Sequence, residues 1–202
     1  YSASYIGYGD GKVYVEYNGR IEAFDETTLE PVWISEELSH EETNSETGKT
    51  TTVDDTIASR LFYDDGHLYF GTGKNSGSGK YYVIDTKSEK KEDATKTEEI
   101  KNVKEIISSE GSFYLKNAVK VGQYIITSDN QGTISSIDTK NNDKVVSTKE
   151  IGKRFSGGIA YDKTTNMIYF VAGTNDLYGV KVGNDGTFGE EKSVRVYETG
   201  YS

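Results

Sequence analysis

Short runs of apolar residues, separated by turn residues, recur along the whole chain. Many of them alternate apolar and polar positions, as half-buried β-strands do. Grouped by their position relative to Gly and Asn turns, the runs form a unit that occurs four times. The four units are Gly9–Trp33, Asp64–Lys87, Val121–Val146 and Thr164–Phe188. Their matching anchors lie 55, 56 and 44 residues apart, at Val13, Leu68, Tyr124 and Ile168. The chain is therefore predicted to be a repeat protein.

Each unit is predicted to contain four antiparallel strands, A to D. The A strands are Ala3–Tyr8, Ile57–Tyr63, Phe113–Val119 and Phe155–Tyr161. The B strands are Lys12–Tyr17, His67–Thr72, Gln123–Ser128 and Met167–Ala172. The C strands are Arg20–Phe24, Lys80–Ile84, Thr133–Ile137 and Leu177–Val182. The D strands are Val32–Ser35, Val103–Ser108, Val145–Lys149 and Ser193–Tyr197.

The turns of the unit carry their own signals. Asn18-Gly19 stands between two alternating strands, which is the strongest short hairpin signal. Three of the C–D turns begin with an aspartate whose side chain can accept backbone N–H groups in an Asx-turn. These aspartates are Asp25, Asp85 and Asp138. The ends of the predicted strands are thus marked by turn-forming residues as well as by the hydrophobic pattern.

Strands B and C are apolar on both faces, as in Val13–Val15 and Met167–Val171. A strand with one solvent-exposed face would alternate apolar and polar residues more strictly, whereas a strand packed between two neighbouring sheets is apolar on both faces. We therefore predict an all-β fold, a β-propeller of about four blades, each a four-stranded antiparallel sheet. The blades span approximately residues 1–38, 56–108, 111–150 and 154–198.

Two polar stretches, 39–55 and 87–102, interrupt the repeat and are predicted to be solvated insertions. The end of the second stretch also fits a helix, because apolar residues follow one another there at helical spacing. These residues are Ile100, Val103, Ile106 and Ile107. The repeat frame places a D strand at the same position, and we favour the strand.

Composition and charge exclude several classes of protein. The 202 residues carry a net charge of −10 and contain no Cys. Disulfides, thiolate zinc sites and cysteine nucleophiles are therefore excluded, and the charge argues against binding nucleic acid or an anionic membrane. The longest apolar run, Met167–Ala172, is far too short to span a bilayer. The first residues contain no apolar signal segment, which leaves open a signal removed earlier.

No motif predicts a catalytic, cofactor-binding or metal-binding residue. His40 and His67 are too few for a transition-metal site. Asp64-Asp65 and Asn184-Asp185-Gly186 are interpreted as hairpin turns, because an EF-hand frame would place Lys181 and Lys192 where acids are needed. The glycines of the loop from Gly71 to Gly79 lack a phosphate-loop motif, and no Gly-x-Ser-x-Gly elbow occurs. Most of the 16 Tyr are expected between blades, the alternative being an aromatic face for glycans or proteins.

The first unit resembles the pyrroloquinoline-quinone-like (PQQ-like) repeat of quinoprotein propellers. Gly11–Val15, Gly19–Asp25 and Trp33 carry the resemblance. The second and third units match it more loosely, and the fourth keeps only the strands. The whole chain is also similar in style to the propeller region of large surface proteins of Gram-positive bacteria. Quinoprotein dehydrogenases have about eight blades, a recurrent Trp and often a disulfide, whereas this chain has one Trp and no Cys. The resemblance therefore implies the fold without the enzyme.

We expect a non-enzymatic binding or scaffold module that presents loops for a protein or glycan partner, on a bacterial cell surface or otherwise outside the cell. One alternative is a part of a larger propeller of seven or eight blades, which associates with further blades or a second chain through open blade edges. The other is a degenerate quinone-dependent enzyme. No cofactor, membrane span or nucleic-acid partner is expected.

Overall fold

The computed structural model describes residues 5–87, 99–100 and 103–196. Within these ranges the regular elements are all β-strands, and there is no helix. The all-β class predicted from the hydrophobic pattern is confirmed, as are four antiparallel sheets with four main strands each.

The first sheet forms from the first repeat unit. Its strands are β1 (Ile6–Gly9), β2 (Lys12–Tyr17), β3 (Arg20–Asp25) and β4 (Pro31–Ser35). The turn between β2 and β3 is Asn18-Gly19, where both residues have positive φ angles of 50° and 73°. These angles are those of a type I′ hairpin turn, which Asn-Gly adopts readily. The Asp25 carboxylate accepts the N–H groups of Thr27 and Thr28 and so forms the predicted Asx-turn.

The polar stretch 39–55 contains a separate β-hairpin. Its strands are β5 (Ser39–Thr43) and β6 (Thr50–Asp54), which pair only with each other. The second sheet follows with β7 (Phe62–Asp64), β8 (His67–Gly71) and β9 (Gly79–Asp85). Most of the insertion predicted at 87–102 lies outside the described residues. At its end, β10 (Glu99–Ile100) adds a short parallel strand to β4.

The outer strand of the second sheet is β11 (Val103–Ser109), antiparallel to β9. The prediction of a strand rather than a helix at this position is therefore confirmed.

The third and fourth sheets repeat the meander of the first. The third contains β12 (Ala118–Val121), β13 (Tyr124–Ser128), β14 (Thr133–Asp138) and β15 (Lys144–Glu150). The fourth contains β16 (Ala160–Asp162), β17 (Met167–Ala172), β18 (Asp176–Val182) and β19 (Phe188–Arg195). In all four sheets the four main strands are adjacent in the order of the chain.

The boundaries predicted for some A and D strands were wrong. The A strands of the second, third and fourth sheets begin at Phe62, Ala118 and Ala160, five residues after the predicted starts at Ile57, Phe113 and Phe155. Phe113 and Phe155 lie in the loops that lead into the sheets and are buried between them. The last D strand begins at Phe188 rather than Ser193. Ala3 and Ser4 of the first predicted A strand lie outside the described residues, as does Tyr197.

Three apolar cores hold the sheets together, each between two sheets that follow one another in the chain. The core between the first and second sheets includes Tyr14, Ile21, Trp33, Phe70 and Ile84. The core between the second and third includes Tyr69, Tyr81, Phe113, Ile125 and Ile137. The core between the third and fourth includes Tyr124, Ile134, Phe155, Ile168 and Val180. Strands of the second and third sheets therefore fill cores on both faces, whereas strands of the first and fourth sheets fill a core on one face only.

Each sheet has two faces, and we call the face toward the next sheet in the chain its forward face and the opposite one its rear face. In the fourth sheet, the forward face is the one that points away from the third sheet. Tyr14 lies on the forward face of the first sheet and Phe70 on the rear face of the second. Six of the 13 tyrosines in the described residues are buried in the cores, so the expectation for most of them is met only in part. They are Tyr14, Tyr69, Tyr81, Tyr82, Tyr124 and Tyr178.

Candidate functional site

The loops that connect one sheet to the next meet at one end of the strands. We call the surface formed by residues 56–60, 112–117 and 153–158 the connection face. Neighbouring loops are joined there by backbone hydrogen bonds, from Leu115 N to Ala58 O and from Arg60 N to Lys116 O, each 2.8 Å long. The third loop is tied to the end of β13, because Phe155 N donates to Asn130 O. Loops from three sheets thus form one continuous surface.

Two buried phenylalanines fix the loops of the connection face. The Phe113 ring lies 5.1 Å from the Tyr81 ring, and the Phe155 ring lies 4.4 Å from the Phe170 ring, measured between centroids. Each phenylalanine thereby inserts into the core between two sheets. The apolar signal that suggested strand starts at these positions reflects this anchoring.

Lys116 is a buried cation on the connection face. Its side chain is almost completely buried, at 2% exposure, and its ammonium donates to the carbonyl oxygen of Phe155 over 2.9 Å. An ammonium has three N–H donors and needs a counter-charge when it leaves water. Among the described residues no carboxylate forms an ion pair with Lys116. Burial, and secondly the nearby Arg154, lower the pKa of Lys116, while Asp129 acts weakly in the opposite direction.

Arg154 provides a second cation next to Lys116. Its guanidinium donates to the main-chain and side-chain oxygens of Asn75, at 2.8 and 2.9 Å. Both residues line a cavity of about 190 Å³, which we call the connection cleft. The residues that line it are Asn75, Tyr114, Leu115, Lys116, Asn130, Arg154, Phe155 and Ser156. In a chain with a net charge of −10 this cleft has a local positive charge.

A second cleft, of about 520 Å³, lies at the A–B turns of the second and third sheets. Asp64 and Lys120 form an ion pair across it, and the Gln123 amide donates to Asp138 over 2.8 Å. His67, one of the two histidines considered in the sequence, lines this cleft with its ring 6.3 Å from that of Tyr69. The formal charges of its lining residues balance, because two aspartates, Asp64 and Asp65, face two lysines, Lys120 and Lys140.

A third cleft, of about 560 Å³, lies beside Ser108 and Asp129. One oxygen of the Asp129 carboxylate accepts three backbone N–H groups, and the other accepts the Ser109 hydroxyl at 2.6 Å. Asp129 is therefore a structural turn residue with both oxygens occupied.

The residues considered for metal binding are not brought together. Within the described residues no group of three or more His, Asp or Glu side chains converges on one point. His40 lies in β5 and His67 in β8, two strands of different sheets. The Asp185 carboxylate accepts the N–H and hydroxyl of Thr187 in the β18–β19 turn. Asp64-Asp65 form the β7–β8 turn, with a positive φ of 43° at Asp65. Both segments, Asp64-Asp65 and Asn184-Asp185-Gly186, are hairpin turns, as interpreted.

Sequence reasoning did not find Lys116 or Arg154. The one available signal was a lysine inside an otherwise mostly apolar run, Phe113 to Val119. Lysine in such a run normally extends its ammonium to solvent. Its burial arises because the loop that carries Phe155 covers it, and that loop lies about 40 residues further along the chain.

Comparison with known proteins adds the fold alone. No family model matches the chain, and no curated protein matches it. Among solved structures, the crystal structure of the computationally designed Ika8 protein is similar, with a TM-score of 0.55 and 14% sequence identity. The likeness covers 93% of this chain and 48% of that one. The chain therefore spans about half the length of this structural neighbour. No described segment forms a helix of the length and apolarity that crossing a bilayer takes.

Proposed function

We propose that the chain is a non-enzymatic binding module, built as an arc of four propeller blades that presents loops to a protein or glycan partner. The observation that carries this proposal is the connection face, where loops of three sheets converge around a polar cleft. Rigid sheets that position loops at one end are a common basis for binding sites. The four meanders, packed face to face in chain order, support a propeller arrangement. The extracellular, bacterial cell-surface setting is part of the proposal and rests on the sequence resemblance.

A glycan array probed with the labelled chain tests the binding function. We expect binding that falls at least tenfold when the exposed rim residues of the connection face are changed, in the variant Tyr114→Ala with Leu115→Ala. The matched control is Leu29→Ala, an exposed apolar position outside that face. Binding that all variants retain would contradict the connection face as the site. Reduction of a redox dye by the chain after addition of pyrroloquinoline quinone and Ca²⁺ would instead favour the alternative of a quinone-dependent enzyme.

A specific observation favours a second role, assembly with a second copy of the chain. The two end sheets each leave one apolar face exposed. The rear face of the first sheet presents Ile6 at 67% exposure and Tyr8 at 64%, beside Val13, Val15 and Phe24. The forward face of the fourth presents Val194 at 63% and Leu177, beside Met167, Tyr169 and Val171.

The two end faces are of opposite kinds, one rear and one forward. Every internal core joins a forward face to a rear face, so the forward end of one copy repeats that geometry when it packs on the rear end of another. The charges also match, because Lys181 and Lys192 lie on the forward end face. Glu22 lies on the rear end face, where the neighbouring Arg20 is already paired with Glu37. Lys149 and Glu191 already form such a pair between the third and fourth sheets, at 2.6 Å. Two copies paired at both ends would give a closed ring of eight sheets.

A further inference from the structure

The ammonium of Lys116 has an unmet need for a counter-charge. Removing a lysine ammonium from water costs several kcal/mol unless a negative group compensates it. The Asp129 carboxylate compensates this charge only from a distance, because it forms no ion pair with Lys116 and its two oxygens accept four hydrogen bonds from other groups. The one acceptor of the ammonium is a neutral carbonyl, that of Phe155. Among the described residues, no carboxylate is in direct contact with the Lys116 ammonium.

Arg154 makes the need for an anion greater. Two cations that flank one small cavity repel each other unless an anion lies between them. Asn75 holds the guanidinium in place. Because the side chain is already ordered, less conformational entropy is lost when a ligand binds. Arginine and lysine both bind compact anions through charge-assisted hydrogen bonds.

The size and rim of the connection cleft narrow the ligand class. A volume of about 190 Å³ is below the roughly 300–1,000 Å³ of pockets for drug-sized ligands. The cleft therefore suits a single small acid rather than an extended chain buried along its length. Tyr114 lies at the rim, is partly exposed, and offers an aromatic surface to a ring attached to that acid.

We propose that the connection cleft binds the anionic group of an acidic sugar, with Lys116 and Arg154 as the donors and Tyr114 against the sugar ring. This rests on the proposed binding function and names its ligand class. The anion is a carboxylate or a phosphate, two groups that share this chemistry. The lysine is retained at a cost in stability because it serves the ligand.

Titration of the ¹⁵N-labelled chain with glucuronate, glucose 6-phosphate and glucose tests the proposal. We expect at least one acidic sugar to shift the amide signals of the connection face and to bind at least tenfold more tightly than glucose. Glucuronate binding alone identifies a carboxylate site, and glucose 6-phosphate binding alone a phosphate site. Equal binding of glucose, or no binding of either acid, would overturn the proposal. Inorganic phosphate that binds as tightly as glucose 6-phosphate would overturn the sugar part.

Two variants separate a ligand role of Lys116 from a structural one. Lys116→Met keeps the length of the side chain and removes the buried charge. It should weaken acidic-sugar binding at least tenfold while the thermal midpoint stays equal or rises. Arg154→Gln should weaken binding in the same direction. The matched control is Lys153→Gln, which removes the neighbouring cation that pairs with Asp176 outside the cleft. If Lys116→Met lowers the midpoint and retains binding, Lys116 is structural and the proposal fails.

The outcome for the general binding function is separate. If the chain binds neutral glycans on the array and the Lys116→Met variant binds them equally well, the acidic-sugar inference is refuted and the binding function stands. An array without any binding, together with no response to the acidic sugars, would refute both.

Discussion

The hydroxyl of Tyr69 donates a 2.6 Å hydrogen bond to the carboxylate of Asp143, 74 residues further along the chain. Tyr69 lies in β8 of the second sheet, and Asp143 lies in the turn before β15 of the third. Both side chains are buried. Burial, and secondly this hydrogen bond, raise the pKa of Tyr69 far above its ordinary value. A charge-assisted bond therefore joins the second and third sheets beside their apolar core.

The variant Tyr69→Phe should lower the free energy of unfolding by about 1–3 kcal/mol, because it leaves a buried carboxylate without this donor. Urea unfolding followed by circular dichroism measures the change. Tyr161→Phe is the matched control, since the Tyr161 hydroxyl donates to the neutral, partly exposed Asn166 amide within one sheet. Its cost should be smaller. Equal costs for the two variants would mean that the carboxylate is not specially dependent on Tyr69.

Gly71 is required because the loop that carries Phe113 packs closely against the end of β8. A Cβ atom at Gly71 would lie 2.3 Å from the Cβ of Phe113. Gly71→Ala should therefore destabilise the chain by about 1–3 kcal/mol through overpacking. Gly157→Ala is the control, because no atom lies within 4 Å of a Cβ there. A Gly71→Ala variant as stable as Gly157→Ala would contradict the packing between Gly71 and Phe113.

Glu16 makes stability depend on pH. Its side chain is 5% exposed on the forward face of the first sheet, and burial raises its pKa above the ordinary 4.5 despite a hydrogen bond from Gly19 N–H that lowers it. The folded chain thus holds the proton more tightly than the unfolded chain does. The stability gained from this difference is fully present below pH 4.5 and is lost as the pH rises through the folded-state pKa.

The variant Glu16→Gln should therefore raise the thermal midpoint by a few degrees at pH 7, since about 1 kcal/mol corresponds to roughly 2–4 °C in a chain of this size. The gain should shrink toward zero below pH 4.5. Glu22→Gln is the control, because Glu22 is partly exposed on the rear face of the same hairpin. A gain for Glu16→Gln that is the same at both pH values would exclude Glu16 ionisation as its cause.

The end faces predict the oligomeric state. Multi-angle light scattering should find a dimer, and Val194→Glu or Ile6→Glu should convert it to a monomer. Val146→Glu, a partly exposed apolar residue of β15 away from both end faces, should leave the mass unchanged. Lys192→Glu should weaken the dimer, and the added change Glu22→Lys should restore part of it. A parent chain that remains monomeric at high concentration would refute the assembly.

The sequence predicted those parts of the fold that depend on local chemistry. Asn18-Gly19 fixes a hairpin by its own backbone preferences, and alternating runs such as Lys12–Tyr17 locate strands within a residue or so. The start of β12 was missed because Phe113 is apolar for a non-local reason, its insertion between two sheets. The β5–β6 hairpin was missed because its Thr and Glu residues have no apolar face that would mark a strand.

The candidate site could not be predicted in the same way. Lys116 becomes buried only when the loop around Phe155 covers it, and the local sequence contains no sign of that contact. Arg154 stands near Lys116 because two sheet connections lie side by side. The repeat pattern gives the number of sheets and leaves the chemistry between their connections undetermined.

The agreement between chain order and packing order has a consequence for biosynthesis. Apart from β10, which returns to the first sheet, the strands of each sheet follow one another in the polypeptide, and each apolar core joins sheets that are consecutive in it. A nascent chain emerging from the ribosome can therefore lay each meander on its predecessor while later codons are still being read. Until the next meander emerges, the apolar forward face of the most recently formed sheet is exposed to solvent. Translation pauses within an insertion such as 39–55 would prolong that exposure, and the exposed apolar face would then be a binding surface for chaperones.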